Sequence, residues 1–420
     1  MTPSVSTSGS KSDRGPRSRS SGERDATQPQ SADQVAPFAS NAAISGNAGE
    51  AEGQIPLVDL AAQHAAVADE VRAGWDAVLA RTAFVGGPDV TEFEHEYASY
   101  VGARYCVGVG NGTDAIELAL RALGARPGDE CILPANTFIA TAEAVARAGA
   151  TPVLVDCDPD TALISVDAVA AAVTPRTKVV LPVHLYGQAA PVEQLRGVVP
   201  DGVAILEDAA QAQGARRNGL PAGALGDIAA TSFYPGKNLG AYGDAGAVTT
   251  SRSDLAEAVR LLREHGSPRK YEHTALGFNS RMDTLQAVVL RAKLRRLEGW
   301  NDARRAAAQR YDKLIGELET VHGPVVAEGN EPVWHLYVVR VPDRDAVLAA
   351  LHEAGIGAGI HYPVPVHRTG AFAGLGGSFP VAERLAGEIL SLPLFPEITA
   401  AQQERVVDVL SNAVRRRHDT

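Results

Sequence analysis

Lysine is scarce in this chain. Only six of its 39 basic residues are lysine (Lys11, Lys178, Lys237, Lys270, Lys293 and Lys313), and the rest are arginine. Chemistry that needs an amine therefore has few places to reside. Cysteine is scarcer still: Cys106, Cys131 and Cys157 sit inside apolar runs, with no C-x-x-C pair. Neither a zinc ribbon nor a disulfide framework is supported, and the three read as buried thiols in a reducing cytoplasm. No apolar run approaches about 18 residues, so no membrane span is expected. The N-terminus lacks the apolar h-region of a secretory signal, and Asp13, Glu23 and Asp25 interrupt its Arg/Ser-rich texture. A cytoplasmic location is the expectation. The net charge of −11, from 39 basic and 50 acidic residues, argues against a nucleic-acid binder that works by neutralising phosphates.

The length of 420 residues exceeds a single small module. Residues 1–53 hold eleven serines, one aromatic (Phe38) and no periodic pattern. Such a stretch buries too little apolar surface to offset its ordering entropy, and reads as a disordered extension. From Ile55 the texture changes. Seven short apolar runs begin near residues 105, 131, 152, 178, 203, 228 and 246, most of them continuous rather than alternating, as in strands buried on both faces. Between the first two, Ile116, Ala119, Leu120 and Leu123 share one face of a helix. Strands separated by such helices predict an α/β fold with a mostly parallel, seven-stranded, doubly wound sheet. In such sheets ligands bind at the carboxyl ends of the strands. A long helix over roughly 284–318 leads into a strand at 334–341, a helix from 345 to about Gly355, and a last helix from 403. The body thus divides into a large domain, 54–300, and a smaller C-terminal α/β domain, 301–420.

Polar groups follow several of these strands. After the first come Asn111, Gly112, Thr113 and Asp114, opening the amphipathic helix. Its free N–H groups and the Thr113 hydroxyl suit a phosphate, while Thr113 or Asn111 capping the helix accounts for the same residues. A dinucleotide fingerprint fails here. The sixth position of 108-GVGNGT is Thr113, and the next strand ends in Pro134-Ala135-Asn136 without an acidic residue for a ribose. The fifth strand ends in Glu207-Asp208, with Gln211 one turn on. A carboxylate there can pair with a protonated ring nitrogen, and it can equally cap a helix. The sixth ends in Ser232 and runs through the turn Pro235-Gly236 to Lys237, among glycines at 236, 240, 243 and 246. A lysine in a half-buried, glycine-lined site gains the neutral amine that Schiff-base chemistry needs, while a plain surface lysine in a loop accounts for the same residue. Phosphate site, ring-nitrogen carboxylate, ring-oxygen amide and amine together describe pyridoxal phosphate.

The runs 231-TSFYPGKNLGAYGDAGAV, 207-EDAAQAQGA, 111-NGTDAI, 134-PANTFIATA, 184-HLYGQ and 277-GFNSRMDTLQA resemble, in order over about residues 55–415, the DegT-type sugar-nucleotide aminotransferases. The resemblance implies a fold-type I pyridoxal phosphate enzyme. By it, Lys237 matches the Schiff-base lysine, Asp208 the partner of the pyridine nitrogen, and Gln211 the residue near the phenolic oxygen. Phe138 matches an aromatic stacked on the ring, and Gly112, Thr113 and Ser232 match phosphate contacts. Asn279 matches an asparagine that reaches the phosphate from the neighbouring subunit, which implies a homodimer with shared active sites. Many relatives carry histidine where this chain has Gln213, and that position receives no role.

The implied reaction moves an amino group from L-glutamate to a keto-sugar nucleotide. The stretch 265-HGSPRKYEHTALGFNSRMD resembles the branch acting at C3 of dTDP-linked 3-keto-6-deoxyhexoses, in amino-deoxysugar biosynthesis. A C4 aminotransferase of the same substrates and a keto-cyclitol aminotransferase stay open. Outside this class stand an NAD-dependent sugar oxidoreductase, which the failed fingerprint disfavours, and a non-catalytic ligand-sensing homologue. Sugar dehydratases of the same fold replace the Schiff-base lysine by histidine, whereas Lys237 is present. His361 and His367 flank 362-YPVPV without a carboxylate at metal-ligand spacing, so no metal is assigned; a loop lining the sugar site is the functional reading and a plain surface loop the alternative. His184 and Tyr186 either face the site or pack. Arg415, Arg416 and Arg417 read as favourable charge at a helix C-terminus.

Overall fold

The computed structural model describes residues 53–415. The extension expected over 1–53 lies, Gly53 apart, outside the described residues, as do Arg416 and Arg417. The seven apolar runs form seven strands of one sheet: β1 (Tyr105–Val109), β2 (Glu130–Pro134), β3 (Thr151–Val155), β4 (Thr177–Val180), β5 (Ala204–Asp208), β8 (Ile228–Ser232) and β9 (Gly246–Thr250). The short β6 (Arg216–Arg217) and β7 (Leu220–Pro221) pair with β10 (Asn330–Glu331) in a separate ribbon. Across the large sheet the order is β1-β9-β8-β5-β4-β2-β3. Only β9 runs antiparallel to its neighbours, so the other six strands end on the same edge.

The strands are continuous apolar runs because helices cover both faces. Helix Gly112–Ala122 buries Ala115, Ile116, Leu118, Ala119 and Leu120 with Val107, Val109, Leu206 and Val248 of the sheet. Each fully buried leucine or isoleucine in such a layer contributes about 1.5–3 kcal/mol. A second core lies in the C-terminal part. There β11 (Tyr337–Arg340) and β12 (Ile389–Leu392) pair antiparallel beneath helices Arg344–Glu353 and Ala400–Arg415. Helix Thr284–Ile315 joins the two cores. Its first half contributes Ala287, Leu290 and Leu297 to a cluster of the large part, and its second half Ala307, Ala308, Tyr311 and Ile315 to the C-terminal core. The domain boundary expected at 300/301 falls inside this helix. At the start of the body, Ile55 bridges Ile356 and packs in the C-terminal core. Among the described residues no helix is long and apolar enough to cross a membrane.

Candidate active site

The edge where the six parallel strands end gathers the polar residues. After β1, Asn111 caps helix Gly112–Ala122, its side-chain oxygen accepting from Asp114 N–H at 2.8 Å. The cap is thus Asn111, and among the described residues the N–H groups of Gly112 and Thr113 at the positive end of the helix have no partner. Gly112 lies against Ser232 at the end of β8. A Cβ there would fall 2.5 Å from Ser232 Cβ, so only glycine lets the two strand ends meet.

β5 delivers two carboxylates, and strand alternation sends them to opposite faces. Glu207 turns inward and is consumed by structure, accepting from the N–H groups of Gly223, Leu225 and Gly226, each at 2.7 Å. Asp208 is 5% exposed and accepts from Thr141 Oγ1 at 2.9 Å and from Ala210 N–H at 3.1 Å. Burial raises its carboxyl pKa, while these hydrogen bonds and the charge of Lys237 oppose the rise. An anion held this way favours a cationic partner.

Lys237 stands in the turn that its own N–H closes on Tyr234 O at 2.8 Å. Burial lowers its ammonium pKa to about 8, against an opposing pull from Asp208. Among the described residues its Nζ makes no hydrogen bond or ion pair. The amine is therefore both partly neutral near physiological pH and uncommitted.

A second group borders the site. Gln211 accepts from Tyr186 N–H at 2.6 Å and donates to Tyr362 OH at 3.0 Å. Tyr362 in turn lies 5.1 Å, centroid to centroid, from the Phe138 ring. Phe138 is half exposed at the start of helix Ile139–Ala148, the helix that carries Thr141. Tyr186 donates to His361 O at 2.6 Å. Burial and the Lys237 charge hold the His361 imidazole down to about 4, so it faces the lysine as a neutral ring. His367 instead pairs with Glu383, and among the described residues no cluster of three or more His, Cys, Asp or Glu side chains stands ready for a metal.

The structure thus brings Asp208 and Lys237 into electrostatic contact, Gly112 against Ser232, and Gln211 to Phe138 through Tyr362. Asn279 is exposed and accepts from Arg281 at 2.7 Å, while the adjacent Ser280 bonds Gly110 N–H and Asp114 beside the helix start. Of the two residues after β4, Tyr186 borders the site, and His184 packs inside the sheet on Glu207 at 2.8 Å. The sequence reading missed Thr141, since a threonine one helical turn past a strand carries no signal, and it left Tyr362 without a role. Gln213 donates to Thr231 Oγ1 and to the carbonyls of Ala210 and Ser232, and its own oxygen is buried without a partner. An uncommitted amine, a buried carboxylate and two free helix N–H groups fit a phosphorylated aromatic aldehyde with a basic ring nitrogen.

Known proteins resemble this chain over most of its length. The chain is 46% identical over 365 residues to the dTDP-3-amino-3,4,6-trideoxy-alpha-D-glucose transaminase of Streptomyces venezuelae, covering 85% of this chain and 95% of that one. It is 45% identical over 360 residues to a UDP-N-acetyl-3-dehydro-alpha-D-glucosamine 3-aminotransferase of Acidithiobacillus ferrooxidans, covering 85% and 97%. The crystal structure of S. venezuelae DesV with a ketimine intermediate superposes with a TM-score of 0.84 at 45% identity, covering 86% of this chain and 98% of that one. The profile of the DegT/DnrJ/EryC1/StrS aminotransferase family matches residues 66–411, and with the site built on Lys237 and Asp208 the chain belongs to that family.

Proposed function

We propose that this aminotransferase, with pyridoxal 5′-phosphate, carries an amino group from L-glutamate to the C3 ketone of a nucleotide-linked 3-keto-6-deoxyhexose. The observation that carries the reading is the uncommitted amine of Lys237, lowered to about 8, facing the buried carboxylate of Asp208. Support for C3 comes from relatives named for amination at that position, one with a dTDP-sugar and one with a UDP-sugar.

When bound, the cofactor supplies an electron sink for the pair left by deprotonation of the amino donor. The Gly112 and Thr113 N–H groups and the Ser232 hydroxyl would hold its phosphate at the helix start. Asp208 keeps the ring nitrogen protonated, because a carboxylate buried with only two hydrogen-bond donors is stabilised by a cation. Gln211 would stand near the ring oxygen and Phe138 near the ring face. With an amine lowered to about 8, Lys237 would be a base of suitable strength to take up a proton and return it at neutral pH. Asn279, without a role in its own chain's site, reaches the phosphate of a second copy, which makes the working unit a homodimer. The two hydrophobic cores are read as a large cofactor-binding domain and a smaller C-terminal domain, divided near residue 300, and the enzyme is placed in the cytoplasm.

The deciding experiment incubates the holoenzyme with glutamate and with 3-keto or 4-keto dTDP-6-deoxyhexoses, and reads the product by NMR. A 3-amino product is expected. Exclusive 4-amination overturns the ring position, and a protein that takes up no pyridoxal phosphate overturns the whole reading.

A further inference from the structure

One side chain from outside both catalytic turns stands between them. Asn301 lies in helix Thr284–Ile315 and is 0% exposed. Its Nδ2 donates to Gln213 O at 2.9 Å, in the turn that follows Asp208. Its Oδ1 accepts from Asn238 Nδ2 at 3.0 Å, and Asn238 is the residue after Lys237. The approach of Asn301 to the first turn is close enough to dictate sequence: Gly214 has φ +95°, and a Cβ there would lie 2.6 Å from Asn301 Nδ2 and 2.3 Å from the Tyr100 oxygen.

We propose that Asn301 is a positioning residue that sets the placement of Lys237 relative to Asp208. The inference rests on the aminotransferase reading of those two residues. Asn301 itself touches neither of them. It acts through the backbone of the 208–214 turn on one side and through Asn238 on the other. The helix that carries it is anchored in both cores, so the amide is a fixed post to which both turns are tied. Asn238 extends the tie, donating also to Val333 O at 2.9 Å and sharing a 3.2 Å hydrogen bond with His335 Nδ1.

The consequence is electrostatic. Three titratable groups face Lys237: Asp208 across the site, and His335 and His361 from the C-terminal part. Burial and the Lys237 charge hold both imidazoles in the neutral form, which leaves Asp208 as the facing charge. Coulomb attraction falls with distance, so a displaced lysine turn changes the proton affinity of its nitrogen.

The test uses holoenzyme and the visible absorbance of the cofactor bound to Lys237, titrated against pH. In Asn301→Ala the midpoint is expected to move by about one pH unit or more, a tenfold change in the protonation equilibrium. The kcat should fall at least about tenfold with little change in KM for the sugar, as for a lost transition-state alignment. Tyr311→Phe is the control: it removes a buried hydrogen bond from the same helix, to Pro393 O at 3.0 Å, and should lower Tm while leaving the midpoint in place. If Asn301→Ala yields no soluble holoenzyme, Asn238→Ser cuts the same link from the lysine side and is read in the same way. A variant that loses Tm but titrates like wild type overturns the proposal and leaves the aminotransferase reading intact. A wild-type protein whose chromophore is not on Lys237 overturns that reading instead.

Discussion

His184 and Glu207 share a hydrogen bond of 2.8 Å inside the sheet, with neither side chain exposed at all. The imidazole Nδ1 accepts from Ala190 N–H at 3.0 Å, which assigns the ring proton to Nε2 and makes His184 the donor to Glu207. With three backbone N–H groups on the same carboxylate, this pair ties the loop 223–226 and the start of the 184–190 segment to β5. The strand that presents Asp208 is thereby held from behind.

Removing that carboxylate strands four donors. Glu207→Ala should cost about 3–5 kcal/mol of stability, as for breaking a buried pair, and Glu207→Gln about 1–3 kcal/mol. Denaturant unfolding of the two variants measures both. Asp208→Asn should behave in the opposite sense, with stability within about 1 kcal/mol of wild type and the half-reaction with glutamate slowed about 10²–10³-fold, as for loss of one preorganised electrostatic partner. Equal stability losses at the two positions would show that their division of labour is wrong.

Lys237 should react with amine reagents well before an ordinary lysine. At pH 7 an amine with a pKa of about 8 is about 10% neutral, against about 0.03% for a free lysine, roughly a 300-fold difference. In cofactor-free protein, peptide mapping after brief labelling should find Lys237 modified first among the exposed and half-buried lysines. The rate should rise with pH and level off above about 8, because the depressed pKa means the proton is already lost there. A rate still climbing past pH 10 would contradict the depressed value. Lys237→Ala should retain the fold and abolish transamination.

The contact between Gly112 and Ser232 makes a steric prediction. Gly112→Ala places a methyl 2.5 Å from Ser232 Cβ, and should destabilise the protein by about 1–3 kcal/mol, as overpacking does. Cofactor affinity should fall as well, since both residues face the phosphate position. Adding Ser232→Gly should recover part of the lost stability, a coupling that a double-mutant cycle measures. Independent, additive losses would mean the two strand ends do not meet.

Asn279 serves the neighbouring copy in the proposed dimer, and complementation tests it. Lys237→Ala and Asn279→Ala should each be nearly inactive as pure proteins. Mixed by co-refolding, half the dimers are heterodimers with one intact site in two, so activity should reach about a quarter of wild type. No recovery on mixing would place Asn279 in the site of its own chain or in none.

Much of this protein is legible along the chain. Strands buried on both faces write themselves as continuous apolar runs, and all seven runs are strands of the large sheet. The turn before Lys237 and the scarcity of lysine single out that amine without any contact being known. The adjacent pair Glu207 and Asp208 marks the end of β5 for the same local reason. What the chain could not reveal depends on residues distant in sequence. Which of the two carboxylates faces the site is decided by the loop 223–226 and by His184. Tyr362 reaches Gln211 across 151 positions, Thr141 reaches Asp208 across 67, and Asn301 reaches Asn238 across 63. A sequence pattern records the face a residue presents and the turn it occupies. Pairings across such separations leave no period to read, because they are chosen by how the strands and helices pack.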